Sequence, residues 1–408
     1  MTERERPPLA AWEIVTSVKF FDRAWLGYTL QTRTVRAPTK FPTRLRMEFF
    51  ADCWRMSEDQ TPIPPYDPTA KPHKRRPRYR GTHPRRFEEK YKELNPDRYA
   101  ETIEKIKASG KTPAGSHRSI MVAEILEVLA PKPGETAVDA TLGYGGHTQE
   151  ILPRLLPGGR LLGLDVDPIE LPKTEARLRS LGFGPEVFTA HRSNFAGLPQ
   201  VLAQAELAGA DVILADLGVS SMQIDDPTRG FSVKLDGPLD MRMNPHRSQS
   251  AAELLQRLRP EALAELMVEN SDEPHATTLA PLLAGKLFPT TRTLAAAIRA
   301  ALPRMSKDDS DLTVRRVFQT LRIAVNDEFS ALDTLLRNLP TCLNPDGRVA
   351  ILTFHSGEDR RVKKAFDSGF RDGIYSDIAQ EVIRPTPSER NSNPRSAPAK
   401  LRWARRGA

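Results

Sequence analysis

Three carboxylates and a cluster of glycines are spaced to do chemistry. Val138-Asp139-Ala140-Thr141-Leu142-Gly143-Tyr144-Gly145-Gly146-His147 places three glycines between an apolar run and a helical one. Glycines at such a junction let the backbone approach a ligand without a Cβ in the way, and the helix that follows offers amide donors with no helical partner. Asp165 lies 20 residues beyond Gly145, where the next apolar run ends. A carboxylate there accepts hydrogen bonds from both ribose hydroxyls of a nucleoside cofactor. A further apolar run, Asp211-Val-Ile-Leu-Ala-Asp216, delivers Asp216 and continues into Leu217-Gly-Val-Ser-Ser-Met-Gln223-Ile-Asp225.

The glycine spacing decides between cofactors. In a dinucleotide fingerprint the third glycine would fall at Thr148, so a pyrophosphate cradle is disfavoured. A sulfonium cofactor has no phosphates and needs a polar floor for its amino-acid end, which Asp139, Gly145 and His147 supply. S-adenosylmethionine is therefore the expected cofactor, against the alternative that the glycines only make a tight loop. Asp216 is expected to contact the cofactor or an acceptor amine, against the alternative of a helix cap. An amine conjugated with a ring is a poor nucleophile. Acceptors that hold its hydrogens, Asp216 with Asp240, localise the lone pair and aim it. No strong base is needed beforehand, because the proton becomes acidic only as the new bond forms.

These residues need strands to hold them. The pattern predicts strands at Thr136–Asp139, Arg160–Asp165, Glu186–Ala190 and Asp211–Asp216. They alternate with helices at 120–129, 147–156, 168–181 and 195–207. That order predicts a doubly wound parallel sheet with helices on both faces. From about 229 to 311 no strand is expected; helices are predicted at 250–258, 260–270, 275–287 and 293–302, with Thr290 and Thr293 as caps. One long helix over 312–339, a strand over 348–354, a helix over 358–370 and edge strands at 380–384 and 400–405 complete the pattern. The expected parts are therefore an extension (1–115), a first half of the α/β domain (116–228), a helical insertion (229–311) and a second half (312–408).

The extension has a different texture. It holds 13 of the 35 prolines and a basic run from Lys71 to Lys92 interleaved with Tyr79 and Phe87. That suits a phosphate-neutralising arm with rings for stacking on bases, or else a solvated tail. The chain has 60 Lys and Arg against 52 Asp and Glu, a net charge of +8, which favours a polyanionic partner. Cys53 and Cys342 form neither a metal spacing nor a disulfide framework, so no metal and a reducing, cytoplasmic setting are expected. No leader or membrane span is expected near the start, and Met47 and Met56 are alternative initiators. Ile63-Pro-Pro-Tyr66 and Gly110-Lys-Thr112 mimic known motifs but lack the strands those motifs require.

Several long segments in order resemble the ribosomal RNA small-subunit methyltransferase H family. They are Asp139 to His147, Asp216 to Asp225, Arg229-Gly-Phe-Ser, Asp236 to Met243, Phe318 to Glu328, Phe354-His-Ser-Gly-Glu-Asp-Arg360, Asn393-Pro-Arg-Ser and Lys400-Leu-Arg. The resemblance covers roughly 116–405. It implies a Rossmann-like S-adenosylmethionine-dependent methyltransferase with an inserted helical substrate-binding domain. The implied reaction is N4-methylation of a cytosine in the decoding centre of 16S ribosomal RNA, with the RNA or the small ribosomal subunit as partner. Cofactor contacts are implied for Gly145, Gly146, His147, Asp165, Phe195, Asp216 and Gln223. The rival expectations are a methyltransferase of another nucleic acid and a non-catalytic assembly factor that keeps the pocket. Leu142, Val166, Met222 and Gly357 depart from the family's usual residues. Gly357 stands where leucine is common and is expected to loosen the loop bearing His355. His355 and Arg360 are expected either to face RNA or to be structural. Asp240 and Arg242 are expected either to position the nucleotide or to brace the insertion as a salt bridge.

Overall fold

Four short runs, Ala137-Val138, Leu161-Leu162, Val212 to Ala215 and Val349 to Leu352, are almost wholly buried. Strands buried on both faces are what a parallel sheet demands. In the computed structural model, which describes residues 119–246 and 249–408, they are the centre of a seven-stranded sheet. The strands are β1 (Thr136–Asp139), β2 (Arg160–Asp165), β3 (Phe188–Arg192), β4 (Ala210–Asp216), β5 (Leu343–Thr353), β6 (Tyr375–Ile378) and β7 (Lys400–Arg406), in the order β3-β2-β1-β4-β5-β7-β6. The first five are parallel, and β7 runs antiparallel to both β5 and β6. The expected extension, its basic run and both decoy motifs lie outside the described residues.

Side chains alternate between the two faces with the period of a strand. Val138, Leu162, Leu164, Ile213, Val349 and Ile351 pack on one side with α4 (Leu198–Gln204), α11 (Glu328–Cys342) and α12 (Ser356–Arg371). Ala137, Leu161, Val212, Leu214, Ala350 and Leu352 pack on the other. There they meet α1 (Val122–Leu129), α2 (Gly146–Leu155) and α3 (Glu170–Ser180). Each such leucine or isoleucine contributes about 1.5–3 kcal/mol by leaving water.

Between β4 and β5 the chain leaves the sheet. A short α5 (Ser221–Asp225) is followed by α6 (Ala251–Arg257), α7 (Pro260–Ser271), α8 (Ala276–Leu283) and α9 (Thr291–Ala301). Thr290 and Thr293 close a reciprocal capping box at the start of α9, as their types suggest. α10 (Lys307–Asn326) packs against α6, α7 and α9, and Val314, Val317, Phe318 and Leu321 sit in the shared apolar core. The boundary expected after Asp311 thus falls inside α10.

The predicted single helix over 312–339 is two helices. Asp327 adopts a left-handed conformation, φ 51°, between α10 and α11. Asp tolerates that conformation better than most residues. The Asn326 side chain also competes for backbone: its amide donates to the carbonyls of Met241 and Arg322, and its oxygen accepts from Met243 N–H. At the sheet edge, the strand expected at 380–384 is only a single bridge between Ile383 and Leu401, and β6 supplies the edge instead. The last short helix is α13 (Pro387–Ser392).

Candidate active site

β1 is the topological switch point, with β2 on one side and β4 on the other, and the crevice beyond its carboxyl end is where an open α/β sheet binds ligands. Asp139, Asp165 and Asp216 end β1, β2 and β4 on this rim.

Asp139 is almost fully buried. One oxygen accepts from the Thr148 hydroxyl at 2.7 Å and the other from Thr141 N–H at 3.2 Å. Burial raises its pKa, against the lowering pull of His147 and Thr148. Asp165 accepts from Gly143 N–H at 2.7 Å on one oxygen and from Asp167 N–H at 2.8 Å on the other. Burial pushes it up to about 6, although both amide bonds pull it down. A carboxylate oxygen has two lone pairs, so each Asp165 oxygen keeps one for a ribose hydroxyl. His147 Nε2 stands 3.4 Å from Asp216 Oδ2 and makes no aligned hydrogen bond. Burial works against its charged form, but Asp216 and Asp139 outweigh burial and its pKa is raised. Asp216 N–H donates to the Thr141 hydroxyl at 2.6 Å, which fastens the β4 end to the glycine turn.

The glycines divide by cause. Gly145 (φ 71°) is the N-cap of α2, where no side chain caps the helix; a Cβ there would press on Thr174, Arg177 and Leu178 of α3. A Cβ on Gly146 would run into Ser119. The left-handed φ of Gly145 and the tight approach of Ser119 to Gly146 suit glycine at both positions, and what they offer a ligand is the uncapped amides of α2. Open space lies instead over Gly143 (φ 49°), whose Cβ would meet nothing closer than 3.8 Å. Sequence reasoning placed Gly143 in the ligand-approaching turn but not among the individual cofactor contacts. Its signal is the Asp165 bond to its amide, which appears once β1 and β2 are side by side.

Gln223 is committed within the protein. Its oxygen accepts from Ser220 N–H in the capping box of α5, and its amide donates to buried Asp167 at 2.8 Å. Phe195 follows β3 and packs, half-buried, against the sheet core, so its free edge is what remains for an adenine. Leu142 fills the space beside Gly163, under the turn.

Asp240 is not joined to the three rim carboxylates by any contact among the described residues. Both its oxygens are held by Arg242, at 2.8 and 2.7 Å. Although partial burial works against the charge, the Arg242 bonds hold its pKa below the usual carboxylate range. Asp240 and Arg242 thus form the internal salt bridge that was one of the two expectations for them. Arg229 is the residue that sequence reasoning left unassigned. Almost fully buried, it bonds Asp167 Oδ2 at 2.9 Å and the carbonyls of Arg242 and Met243 at 3.2 and 2.9 Å. A continuous polar path thus runs from the ribose-side loop, through Asp167 and Arg229, to the helical insertion. A buried arginine needs such partners, and the signal in the sequence is its place in the Arg229-Gly-Phe-Ser segment of the resemblance.

His355 caps α12, accepting from Glu358 N–H, and lies 3.0 Å from the Glu358 carboxylate. Burial disfavours the Glu358 charge, but His355 and Arg322 more than offset this and lower its pKa. Arg360 pairs with Asp272 of the insertion at 3.0 Å. The loop is not loosened at Gly357: a Cβ there would meet the Phe329 ring at 2.6 Å, and Arg361 stacks on that same ring at 3.7 Å. Phe329 occupies the space a side chain would take. Among the described residues, no cluster of three His, Cys, Asp or Glu is arranged to hold a metal, and no helix is long and apolar enough to cross a membrane.

The three clustered carboxylates suit a cofactor that carries positive charge and lacks phosphates, and comparison with known proteins agrees. The sequence pattern of the MraW methylase family matches residues 114–407. Ribosomal RNA small subunit methyltransferase H 1 of Lachnoclostridium phytofermentans is 50% identical over 357 residues, covering 85% of this chain and 94% of that protein. Ribosomal RNA small subunit methyltransferase H 2 of Alkaliphilus metalliredigens is 50% identical over 339 residues, covering 81% and 97%. Ribosomal RNA small subunit methyltransferase H of Syntrophotalea carbinolica is 39% identical over 309 residues, covering 71% and 98%. A match across the whole sheet and its insertion leaves one assignment: the chain belongs to the MraW methylase family.

Proposed function

We propose that this protein transfers a methyl group from S-adenosylmethionine to the exocyclic N4 of a cytosine in the decoding centre of 16S ribosomal RNA, in the cytoplasm. The observation that supports it most is the meeting of Asp139, Asp165 and Asp216 at one rim, beside the uncapped start of α2. The names of the relatives supply the substrate class.

The residues present fit the cofactor. The α2 amides and the polar floor of Asp139 and His147 suit an amino-acid end, and the free lone pairs of Asp165 suit ribose hydroxyls. When bound, S-adenosylmethionine supplies an electrophilic methyl group on a sulfonium. The nearby carboxylates favour that positive charge, and would repel a pyrophosphate. Asp216 accepts an amine hydrogen, localising the nitrogen lone pair and directing it along the line of transfer. His147, with Nε2 3.4 Å from Asp216 Oδ2, lends that carboxylate a nearby imidazole whose raised pKa favours the charged form. The proton released as the bond forms passes to Asp216 or to water. Asp240, through Arg242, braces the segment that joins the rim to the insertion, and the insertion binds the RNA.

The test is methyl transfer to small subunits prepared without this modification. Nuclease digestion and mass mapping should place one added methyl group on a decoding-centre cytosine. Cofactor binding with no transfer would favour the assembly-factor reading, and transfer only to other nucleic acids would replace the substrate.

A further inference from the structure

Helix α12 starts where the catalytic rim ends. Asp216 is in register with Leu352 of β5, and α12 begins four residues later. Its inner residues, Val362, Phe366 and Gly369, are buried against the sheet side. Its outer face carries Arg360, Lys363, Lys364, Asp367 and Arg371, spaced i, i+3, i+4, i+7 and i+11, which lines them along one face. At 1.5 Å per residue this stripe is about 16 Å long.

Two features separate it from an ordinary solvated helix face. First, its charge is unbalanced: Arg360 is paired with Asp272, but Lys363, Lys364 and Arg371 are exposed with no carboxylate in ion-pair range among the described residues. Asp367 is the one acid among the five. Second, Phe370 stands 41% exposed at the edge of the stripe, one position before Arg371. Cations that track a backbone, with an exposed ring for a base, form the pattern that binds single-stranded nucleic acid.

We propose that the outer face of α12 is a docking strip for the acceptor RNA strand. Phosphates next to the target lie on Lys363, Lys364 and Arg371, and one base stacks on Phe370. The strip rests on the RNA-methylation reading above and extends it: the strand leaves the rim along α12 and so holds the target base at Asp216.

Lys363→Gln/Lys364→Gln, Phe370→Ser and, as a control at the opposite end of the sheet, Lys132→Gln are compared in the full chain. The probe is a protein-free RNA fragment containing the decoding centre, titrated at several salt concentrations. The double lysine variant should bind about tenfold more weakly near 0.1 M salt, and its plot of log affinity against log salt should be shallower by about 1.4. Phe370→Ser should lose about five- to tenfold with the slope unchanged, because stacking releases no counterions. In both, KM for RNA rises while kcat and the cofactor affinity stay at wild-type values. Lys132→Gln should change nothing. Wild-type RNA affinity and slope in the α12 variants overturn the strip alone. So does a loss seen only with intact subunits, which assigns the face to a ribosomal protein. A wild-type chain that binds neither RNA nor subunits overturns the methylation reading, and the strip with it.

Discussion

The two rims of the sheet are built from the same residue types and treat them oppositely. At the amino-terminal rim the half-buried charges Arg348, Glu135 and Asp211 are all matched. Arg348 grips Glu135 with two bonds of 2.8 Å and gives two more to the carbonyls of Leu129 and Ala130. Asp211 accepts from Thr136 N–H on one oxygen and from the Asn344 amide on the other. At the carboxyl-terminal rim, burial raises Asp139 and Asp165, and His147 Nε2 lacks an aligned partner. Complete pairing marks a rim that holds the fold, and incomplete pairing marks one that waits for a ligand.

Substitutions test that contrast, the largest effect first. Asp216→Ala should cut turnover by about a hundred- to a thousandfold while the protein stays folded, in line with loss of a positioned polar group at a reacting centre. Turnover near wild type would remove Asp216 from the chemistry. At the other rim, Arg348→Met should cost about 3 kcal/mol of stability, because it strands Glu135 and two carbonyls, and should leave cofactor affinity unchanged. Denaturant titration and calorimetry separate the two effects, and a variant with full stability but weak cofactor binding would erase the distinction between the rims. Asp165→Ala should weaken cofactor binding at least a hundredfold, and wild-type affinity by calorimetry would refute that site.

The pH dependence sharpens the same point. The Asp165 pKa is raised from 3.8 to about 6, so this carboxyl favours the ligand-free fold when protonated, and that contribution is lost as pH rises through 6. Ribose hydroxyls bind its ionised form. Cofactor affinity should therefore climb between about pH 5 and 7 and then level off, with a proton released on binding at the low end. Calorimetry in buffers of different ionisation enthalpy reads that proton, and a flat profile would disprove the coupling. The smallest effect belongs to the insertion: Ser250→Ala removes the capping box of α6 and should cost about 1 kcal/mol with no change in cofactor affinity.

Much of this was legible in the residues. The continuous apolar runs located β1, β2 and β4, and the carboxylate at each strand end followed from them. Less legible were features decided by tertiary contact. The break at Asp327 depends on Asn326 reaching Met241, 85 positions earlier in the chain. The roles of Arg229 and Gln223 depend on Asp167, which local pattern cannot pair with either. The glycines were read as room for a ligand, and the close neighbours of Gly145 in α3 and of Gly146 at Ser119 are a second reason for glycine that appears only in the fold. The Asp240–Arg242 pair was legible as one of two alternatives, and the folded loop turns Arg242 back onto both carboxylate oxygens.

The Phe329 ring, seated where residue 357 has no side chain, makes these two positions a sterically coupled pair. Neither can drift alone. Leucine at 357 collides with the ring, and a small residue at 329 beside Gly357 opens a hole and removes the platform under Arg361. A change at either position is therefore accommodated only if the other changes with it, and the guanidinium of Arg361 reports on both.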